Sequence, residues 1–288
     1  MVAVSELTKR YGTVEALKGI SFSAKEGEIF GIIGPDGAGK TSLFRILTTL
    51  ILGDGGVASI GGLDVVKDYR KIRSTVGYMP GRFSLYQDLT VEENLNFFAT
   101  VFNTTVEKNY DLVKDIYQQI EPFKKRKAGA LSGGMKQKLA LSCALIHKPT
   151  VLFLDEPTTG VDPVSRKEFW EMLKRLKSQG ITILVSTPYM DEASLCDRIA
   201  LIQNGEIMNI NAPLQIIADY PDKLYAMKAI NNYHLLNELK SRTDVKSCYI
   251  SGEFLHVVFE DTAIFSTENI EIHPIRPTIE DCFIRLMK

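Results

Sequence analysis

The stretch that decides the fold is Gly34-Pro35-Asp36-Gly37-Ala38-Gly39-Lys40-Thr41, which fits the pattern GxxxxGK[ST]. It follows an apolar run at residues 29–33 that is typical of a buried strand, and residues 40–50 continue with helical spacing. A strand, a glycine-rich loop and a helix in this order are the context of a phosphate-binding loop. The glycines let N–H groups turn towards phosphate oxygens, and the helix N-terminus adds partial positive charge. The sequence therefore predicts a polyphosphate site.

The residues of this loop have separate predicted roles. Lys40 would reach the β- and γ-phosphates, and the Thr41 hydroxyl would bind Mg²⁺. Because an acidic side chain repels a polyphosphate, we expect Asp36 to point to solvent. The complete set of predicted nucleotide contacts here is Gly34, Pro35, Asp36, Gly37, Ala38, Gly39, Lys40, Thr41 and Ser42.

A second buried strand, Val151-Leu152-Phe153-Leu154, ends in Asp155 and Glu156. At the carboxyl end of a parallel strand, Asp155 can hold the water shell of a metal ion. Glu156 is placed to polarise a water for in-line attack on a γ-phosphate. The alternative is a helix-capping Asp-Glu pair, which the phosphate loop on an earlier strand disfavours.

Strands alternate with helices along residues 1–212, which predicts an α/β fold with a parallel-sheet core. Residues 1–33 read as strands joined by polar turns, an antiparallel β subdomain, and residues from about 83 to 148 read as a helical subdomain. The pattern changes near Pro213. Residues 213–288 predict a small α/β appendix with a hairpin at Ser251-Gly252-Glu253 and a final helix.

Composition narrows the classes of function. The 288 residues carry a net charge of −1, so no nucleic-acid partner is expected. No apolar run approaches the ~20 residues of a membrane span, so a role at a membrane would require a partner protein. Four cysteines without CxxC spacing indicate reduced thiols rather than a disulfide framework.

A third motif, Leu131-Ser132-Gly133-Gly134-Met135-Lys136-Gln137, precedes a helical run and exposes N–H groups at the helix start. With the phosphate loop upstream and Asp155 downstream, residues 1 to about 210 resemble the nucleotide-binding subunits of ABC transporters. The tail Pro277-Thr278-Ile279-Glu280-Asp281 resembles the closing motif of the drug- and polysaccharide-exporter branch. The variants GPDGAGKTS, GYMPGRFSLY and STPYMDEA look most like bacterial multidrug-type export ATPases.

This resemblance implies an ATPase that binds ATP and Mg²⁺ and powers export through a separate membrane permease. Tyr11 would stack on adenine, although a surface tyrosine in a turn is the alternative. Two ATP-binding subunits, identical or different, would close head-to-tail, with Ser132, Gly133 and Gly134 completing the partner's site and Asp162 in the crossing loop. The helical subdomain would touch the permease, which would place the chain in the cytoplasm at the inner face of the membrane.

Two positions depart from the family pattern. Gly81 stands where the family has a glutamine that contacts Mg²⁺ and the attacking water, and Pro188 where it has a histidine that donates towards the γ-phosphate. Since proline has no side-chain donor, we expect a weakened catalytic site in an asymmetric dimer. In the rival interpretation, Ser186 or Thr187 replaces the histidine, and Gln87 replaces the glutamine only if its loop folds back.

The sequence is also compatible with two other functions. The chain could be a nucleotide-gated regulatory module with little turnover, or a soluble ATPase of the same superfamily acting on ribosomes or DNA. The latter proteins generally carry two such domains or a long coiled-coil insertion, and neither appears here. Among the remaining residues, His147 precedes Lys148-Pro149 at a helix end and is expected to be a capping or solvent-facing residue.

Overall fold

The computed structural model describes residues 1–260 and 270–287. The chain divides into two compact units, Met1–Pro213 and Leu214–Lys288. The elements of the first unit are β1 (Val2–Tyr11), β2 (Val14–Ala24), β3 (Ile29–Ile33), α1 (Lys40–Leu47), β4 (Gly55–Ile60), β5 (Leu63–Asp64), α2 (Tyr69–Thr75), β6 (Val76–Met79), α3 (Val91–Val101), α4 (Val106–Tyr117), α5 (Gly133–Leu145), β7 (Val151–Asp155), α6 (Pro163–Ser178), β8 (Thr182–Thr187), β9 (Arg198–Gln203) and β10 (Glu206–Asn211).

The central sheet of the first unit has the strand order β10-β9-β3-β8-β7-β6. All neighbours pair in parallel except β10, which runs antiparallel to β9 at one edge. Every residue of β3, β7 and β8 is buried, because the sheet is covered on both faces. Parallel strands bring their carboxyl ends to one edge, so the segments that follow β3, β7 and β8 meet there.

A second, antiparallel sheet has the order β2-β1-β4-β5 and shares its hydrophobic core with the central sheet. The rings of Phe22 and Phe30 stack with centroids 5.3 Å apart across this core. In the same core, Phe44 of α1 meets Phe153 of β7 edge-on, with ring centroids 5.7 Å apart. These contacts fix α1, and hence the loop before it, on the sheet.

Helices α3, α4 and α5 form the helical subdomain. Thr90 and Glu93 make a reciprocal capping box that starts α3, which stabilises a helix N-terminus by satisfying two backbone donors. Asn94 is fully buried and bonds the backbone of Tyr86 and Leu89. Its side chain therefore ties the loop between β6 and α3 to the subdomain.

Helix α6 has one buried, apolar face and a defined start and end. Pro163 occupies the first turn, where the missing N–H has no helical partner to lose. Phe169, Met172, Leu173 and Leu176 are buried, and Gly180 ends the segment with a φ of 90°.

The second unit contains α7 (Pro213–Ala218, beginning at the unit boundary), β11 (Leu224–Lys228), α8 (Asn232–Lys240), β12 (Val245–Ser251), β13 (Phe254–Phe259), β14 (Glu271–Ile275) and α9 (Ile279–Leu286). In the described residues its strands form one antiparallel sheet with the order β12-β13-β11-β14. Leu235, Leu236 and Leu239 of α8 pack on this sheet against Met227 and Leu255. This unit has its own small core.

Candidate functional site

The phosphate loop leaves β3 and enters α1 through two glycines in the left-handed region. Gly37 has a φ of 80° and Gly39 a φ of 105°, conformations that glycine adopts without the steric penalty of a Cβ. A Cβ on Gly39 would lie 2.4 Å from the carbonyl oxygen of Ala16, so the approach of β2 also requires glycine there. Turns of this kind form a concave ring of backbone N–H groups, which is a suitable site for an anion.

Lys40 is 3% exposed and holds the centre of the loop. Its Nζ donates to the carbonyl oxygens of Gly34 and Pro35 at 2.8 and 2.9 Å. The same Nζ lies 3.1 Å from Oε1 of Glu156. Asp36, 4.0 Å from Nζ, has a side chain that is 89% exposed and points to solvent, as the charge argument expects.

Asp155 and Glu156 lie where β7 leaves the sheet, beside the end of β8. Asp155 Oδ1 accepts a hydrogen bond from Ser186 Oγ at 2.6 Å. The backbone N–H of Glu156 donates back to Ser186 Oγ at 3.0 Å. Glu156 adopts a φ of 50°, which turns its side chain out of the strand direction to meet Lys40. The structure thus brings Lys40, Asp155 and Glu156 together at one edge of the sheet.

The oxygen donors at this edge fit a magnesium ion. Asp155 is 2% exposed, and no basic side chain of residues 1–260 or 270–287 forms an ion pair with it. A carboxylate buried in this way needs a compensating cation. Thr41, which follows Lys40, supplies a hydroxyl. Hydroxyl and carboxylate oxygens are ligands that Mg²⁺ accepts alongside water and substrate phosphates.

Gly81 and Pro188 both lie beside this edge but offer no side-chain donor. A Cβ built on Gly81 would be 3.0 Å from the carbonyl oxygen of Asp155 and 3.7 Å from Cβ of Glu156. Pro188 directly follows the last residue of β8. Neither position therefore offers a side-chain N–H beside Asp155 and Glu156.

The hydroxyls that could replace the missing histidine are already engaged. Ser186 Oγ donates to Asp155, and Thr187 Oγ1 donates to Oε2 of Glu192 at 2.6 Å. Each hydroxyl has one proton to donate. Gln87 is also placed elsewhere, since its carbonyl accepts the N–H of Gly129 at 2.9 Å and its side chain is exposed. In this structure the hydroxyl protons of Ser186 and Thr187 are therefore donated to protein carboxylates.

The motif at residues 131–137 lies at the start of α5. Ser132 caps the helix by accepting the N–H of Met135 at 3.4 Å. A Cβ on Gly134 would lie 2.8 Å from Ser165 Oγ, and one on Gly133 would lie 3.5 Å from the carbonyl oxygen of Gly160. Within the chain, this motif packs against the segment that contains Asp162.

Asp162 caps α6, accepting the N–H groups of Val164 and Ser165 at 3.1 and 3.0 Å. The hydrogen bonds from Ser165 hold the pKa of its carboxyl below the usual range. Ser132 and Gly133 are exposed, and so is Asp162. These residues form a polar surface separate from the Lys40–Glu156 cluster.

Tyr11 ends β1 at the tip of its hairpin with β2, paired with Val14. Its ring is 45% exposed, and the Nζ of Lys9 lies 5.5 Å from the ring centroid. Lys9 in turn forms an ion pair with Asp54 at 2.9 Å. A partly exposed ring with a fixed backbone can stack on a planar ligand.

An apolar groove of about 430 Å³ opens between β6 and the helical subdomain. Its walls include Leu50, Tyr78, Leu85, Phe98, Val101, Phe102 and Ala144. Burial and the nearby charge of Asp155 raise the pKa of Tyr78 to about 12, so this phenol stays neutral. Within the first unit, the groove thus presents an aromatic and aliphatic surface.

The expectation for His147 is wrong. Its ring stacks on Phe102 with centroids 3.8 Å apart, and its Nε2 lies 3.0 Å from the carbonyl oxygen of Val76. Burial lowers the pKa of this imidazole, which favours the neutral form. His147 is therefore part of the groove wall and is neither a cap nor a solvated side chain.

Sequence reasoning gave no role to Glu192, a buried carboxylate that bonds Thr158, Thr187 and Arg166. The sequence has two adjacent acidic residues, Asp191 and Glu192, and no periodic pattern indicates which of the two is buried. Only the fold shows that Glu192 is 2% exposed while the side chain of Asp191 is 74% exposed.

The family model described as ABC transporter matches residues 17–159. A Nod factor export ATP-binding protein I of Burkholderia orbicola (strain AU 1054) is 42% identical over 212 residues, covering 73% of this chain and 70% of that protein. The chain belongs to the ABC transporter family of ATP-binding proteins. The resemblance stated from its motifs is confirmed.

Other matches agree with this assignment. A probable multidrug ABC transporter ATP-binding protein of Escherichia coli (strain K12) is 35% identical over 300 residues; the chain is covered completely but spans only 52% of that relative. An ATP-binding subunit of an ABC transporter superposes with a TM-score of 0.69 at 26% identity, covering 76% of this chain and 93% of the other.

A dimeric ATP-binding cassette in a post-hydrolysis state with ADP and Pi gives a TM-score of 0.67 at 27% identity, covering 74% of this chain and 98% of that cassette. This ABC protein therefore has the P-loop ATPase fold predicted from its sequence. No helix in the described part of the chain is long and apolar enough to cross a bilayer.

Proposed function

We propose that this ABC protein binds MgATP at residues 34–42 and Tyr11, and powers export through a separate permease. Its own catalytic site is slow. Its Ser132-Gly133-Gly134 surface completes the site of a second ATP-binding subunit, which retains a full set of γ-phosphate contacts. The observation that carries the asymmetry is the pair Gly81 and Pro188, because both lie beside Asp155–Glu156 and neither has a side-chain donor.

The chain's residues would act in sequence. An incoming polyphosphate gives Lys40 an anionic partner stronger than the carbonyl oxygens of Gly34 and Pro35. As Lys40 moves to the phosphates, Glu156 loses its contact with the ammonium and becomes free to orient a water for in-line attack. Asp155 and Thr41 would hold Mg²⁺, which neutralises charge on the β- and γ-phosphates.

The same arrangement explains why turnover would be slow. Removing one preorganised donor from a developing charge lowers a rate by about 10²–10³. Here the strand tip beside Glu156 ends in Pro188, and the hydroxyls of Ser186 and Thr187 donate to protein carboxylates. ATP binding and water activation are retained, while stabilisation of the transferred phosphoryl group is reduced.

The permease contact is assigned to the apolar groove. It is lined by residues of α3 and α5 and by β6, whose last residue Met79 precedes Pro80 and Gly81. A cytoplasmic helix of the permease, with an apolar face, would bury Phe98, Val101 and Phe102. Docking there would place the chain at the inner face of the membrane and next to the segment that carries Gly81.

The proposal is tested with the isolated chain and with its membrane complex. We expect the isolated chain to bind MgATP and to release phosphate at least ~100-fold more slowly than the complex, given the lost donors. Glu156→Gln should abolish the residual single-turnover activity, whereas Glu171→Gln, an exposed member of a surface pair with Lys174, should leave it unchanged. Fast turnover by the isolated chain would contradict the asymmetric site.

Two further outcomes would favour other functions. Tight MgATP binding with no turnover in any complex would indicate a nucleotide-gated regulatory module. Co-purification with ribosomes or DNA in place of an integral membrane protein would indicate a soluble ATPase that acts on ribosomes or DNA.

A further inference from the structure

Glu192 is a buried carboxylate that three separate segments of the ABC domain share. Its Oε2 accepts the hydroxyl of Thr187 at 2.6 Å, and its Oε1 accepts the hydroxyl of Thr158 at 2.7 Å. Arg166 donates to the same Oε1 from Nε at 3.1 Å and from Nη2 at 3.0 Å. Only 2% of the Glu192 side chain is exposed. Four hydrogen bonds thus converge on one side chain.

The three segments are the end of β8, the turn after Glu156 and the first turn of α6. Thr187 ends β8, and its carbonyl accepts the N–H of Gly34 in the phosphate loop at 3.3 Å. Thr158 lies two residues after Glu156 in a turn whose N–H groups bond back to Glu156 and Thr158. Arg166 lies in the first turn of α6, and its N–H donates to the carbonyl of Asp162 at 2.9 Å.

Arg166 is held on more than one side. Its guanidinium lies 4.3 Å from the ring centroid of Tyr189 and 3.3 Å from Oδ2 of Asp191. The Tyr189 N–H donates to Thr187 Oγ1 at 3.1 Å, so the residue after Pro188 joins the same network. A continuous chain of hydrogen bonds therefore runs from Gly34, through Thr187 and Glu192, to the segment that contains Asp162.

Stability alone does not account for a carboxylate at this position. Burying an ion pair gains little net free energy, and an apolar side chain of similar size is often as stabilising. What the carboxylate offers is geometry, since its two oxygens accept four hydrogen bonds from three side chains at once. A leucine would fill the space without fixing the relative positions of the segments.

We propose that Glu192 is a positioning residue that couples the strand tip beside the phosphates to the Thr158–Asp162 turn. The inference rests on the proposed function, because it concerns ATP hydrolysis by the dimer. Because Pro188 and Gly81 have no side-chain donor, neither can bind the γ-phosphate through its side chain. The position of the β8 end is fixed instead by its hydrogen bond to Glu192. In the proposed dimer, a change at the phosphate loop would be passed through Glu192 to residues 158–162.

The test uses Glu192→Gln, with Asp191→Asn as the matched control, in the chain purified with its membrane complex. The glutamine keeps the size of the side chain but offers one acceptor oxygen in place of two. We expect kcat to fall about tenfold while the KM for ATP and the Kd of the isolated chain stay within twofold. Asp191→Asn removes an exposed charge from the same Arg166 and should leave kcat unchanged.

A second measurement locates the effect. When ATP is added, hydrogen–deuterium exchange at residues 157–166 should slow in the wild-type chain and should not slow in Glu192→Gln. Equal loss of kcat and ATP affinity, or a lowered Tm with normal exchange in the folded fraction, would show a merely structural role and overturn the inference.

The two proposals fail in different ways. A wild-type complex that binds ATP but does not hydrolyse it overturns the proposed function, and the exchange response then decides the role of Glu192 by itself. An active complex in which Glu192→Gln has normal kcat and a normal exchange response overturns the inference alone.

Discussion

At the residue scale, the reactive groups of the site restrain one another when no nucleotide is present. The Lys40 ammonium lies 3.1 Å from Glu156 and also bonds two loop carbonyls. In this arrangement one oxygen of the Glu156 carboxylate is occupied by the ammonium of Lys40. In the proposed mechanism, ATP would remove this restraint by giving Lys40 phosphate oxygens as partners.

The surroundings of Gly81 and Pro188 indicate at which of the two positions a side-chain donor is better restored. A side chain at Gly81 would place its Cβ 3.0 Å from a backbone carbonyl, so the strand end would have to shift by a few tenths of an ångström. Pro188 is half-buried and already carries a ring, so a substitution there adds less strain.

We therefore expect Pro188→His to raise single-turnover ATP hydrolysis by the chain by about 10²-fold, since this is the lower value for one preorganised donor. Pro188→Ala, which gains no donor, is the control and should leave the rate unchanged. Rapid-quench measurement of phosphate release from pre-bound MgATP gives the rate directly. An equal gain in both variants would show that backbone freedom, and not a donor, limits the wild-type site.

At the element scale, helix α9 shows how one side chain can anchor a segment. Asp281 Oδ2 accepts the N–H and the hydroxyl of Thr278, each at 2.6 Å, which closes the capping box of the helix. Its Oδ1 accepts from Tyr249 of β12 and lies 2.6 Å from Nδ1 of His256 in β13. Burial raises the pKa of the Asp281 carboxyl, but the hydrogen bonds from Thr278, Tyr249 and His256 together lower it below the usual value.

This gives a stability prediction with a defined sign. A carboxyl whose pKa is lowered in the folded state contributes stability that is present above its unfolded pKa of ~3.9 and is lost as pH falls through the folded value. Asp281→Asn should lower the free energy of unfolding at pH 7 by about 1–3 kcal/mol, since buried donors lose their acceptor. The difference from wild type should shrink below about pH 4.

Thermal unfolding from pH 3 to pH 8 checks this, followed by a probe in the second unit. Glu280→Gln, an exposed neighbour on the same helix turn, is the matched control. A constant difference across this range would show that Asp281 acts through packing rather than charge.

At the scale of the whole molecule, the sequence correctly predicts those features whose residues lie within one contiguous segment. The phosphate loop and the Asp155-Glu156 strand end each carry their signal in a few neighbouring residues, and the fold agrees with both. The inner strand β4, the edge strand β10 and the groove have no such local signal. The groove joins Leu50, Val101 and His147 from distant parts of the chain, and the surroundings of His147 decide its burial.

The site shows the same limit. Ser186 and Thr187 are open candidates in the sequence because a hydroxyl's partner is invisible there. Ser186 bonds a residue 31 positions away, and Thr187 bonds one of two adjacent acids. The sequence therefore identifies the hydroxyl groups near the predicted phosphate site. Only the fold shows which of these hydroxyls already donate their proton to another residue.

The last prediction concerns the apolar groove, because the proposed contact with the permease lies there. Val101 is 56% exposed at the groove wall, so Val101→Asp should leave the fold intact. It would place a charge where an apolar helix face must dock without a compensating partner. We expect co-purification with the permease to fall at least tenfold, while ATP binding by the isolated chain is unchanged.

Val57→Asp on β4, where the valine is 63% exposed and lies outside the groove, is the control and should assemble normally. Quantitative pull-down from detergent-solubilised membranes measures both variants at once. Because stimulation by the permease depends on this contact, the Val101→Asp chain should also keep the slow turnover of the isolated chain when membranes are added. Normal assembly of Val101→Asp would move the permease contact to another surface of the molecule.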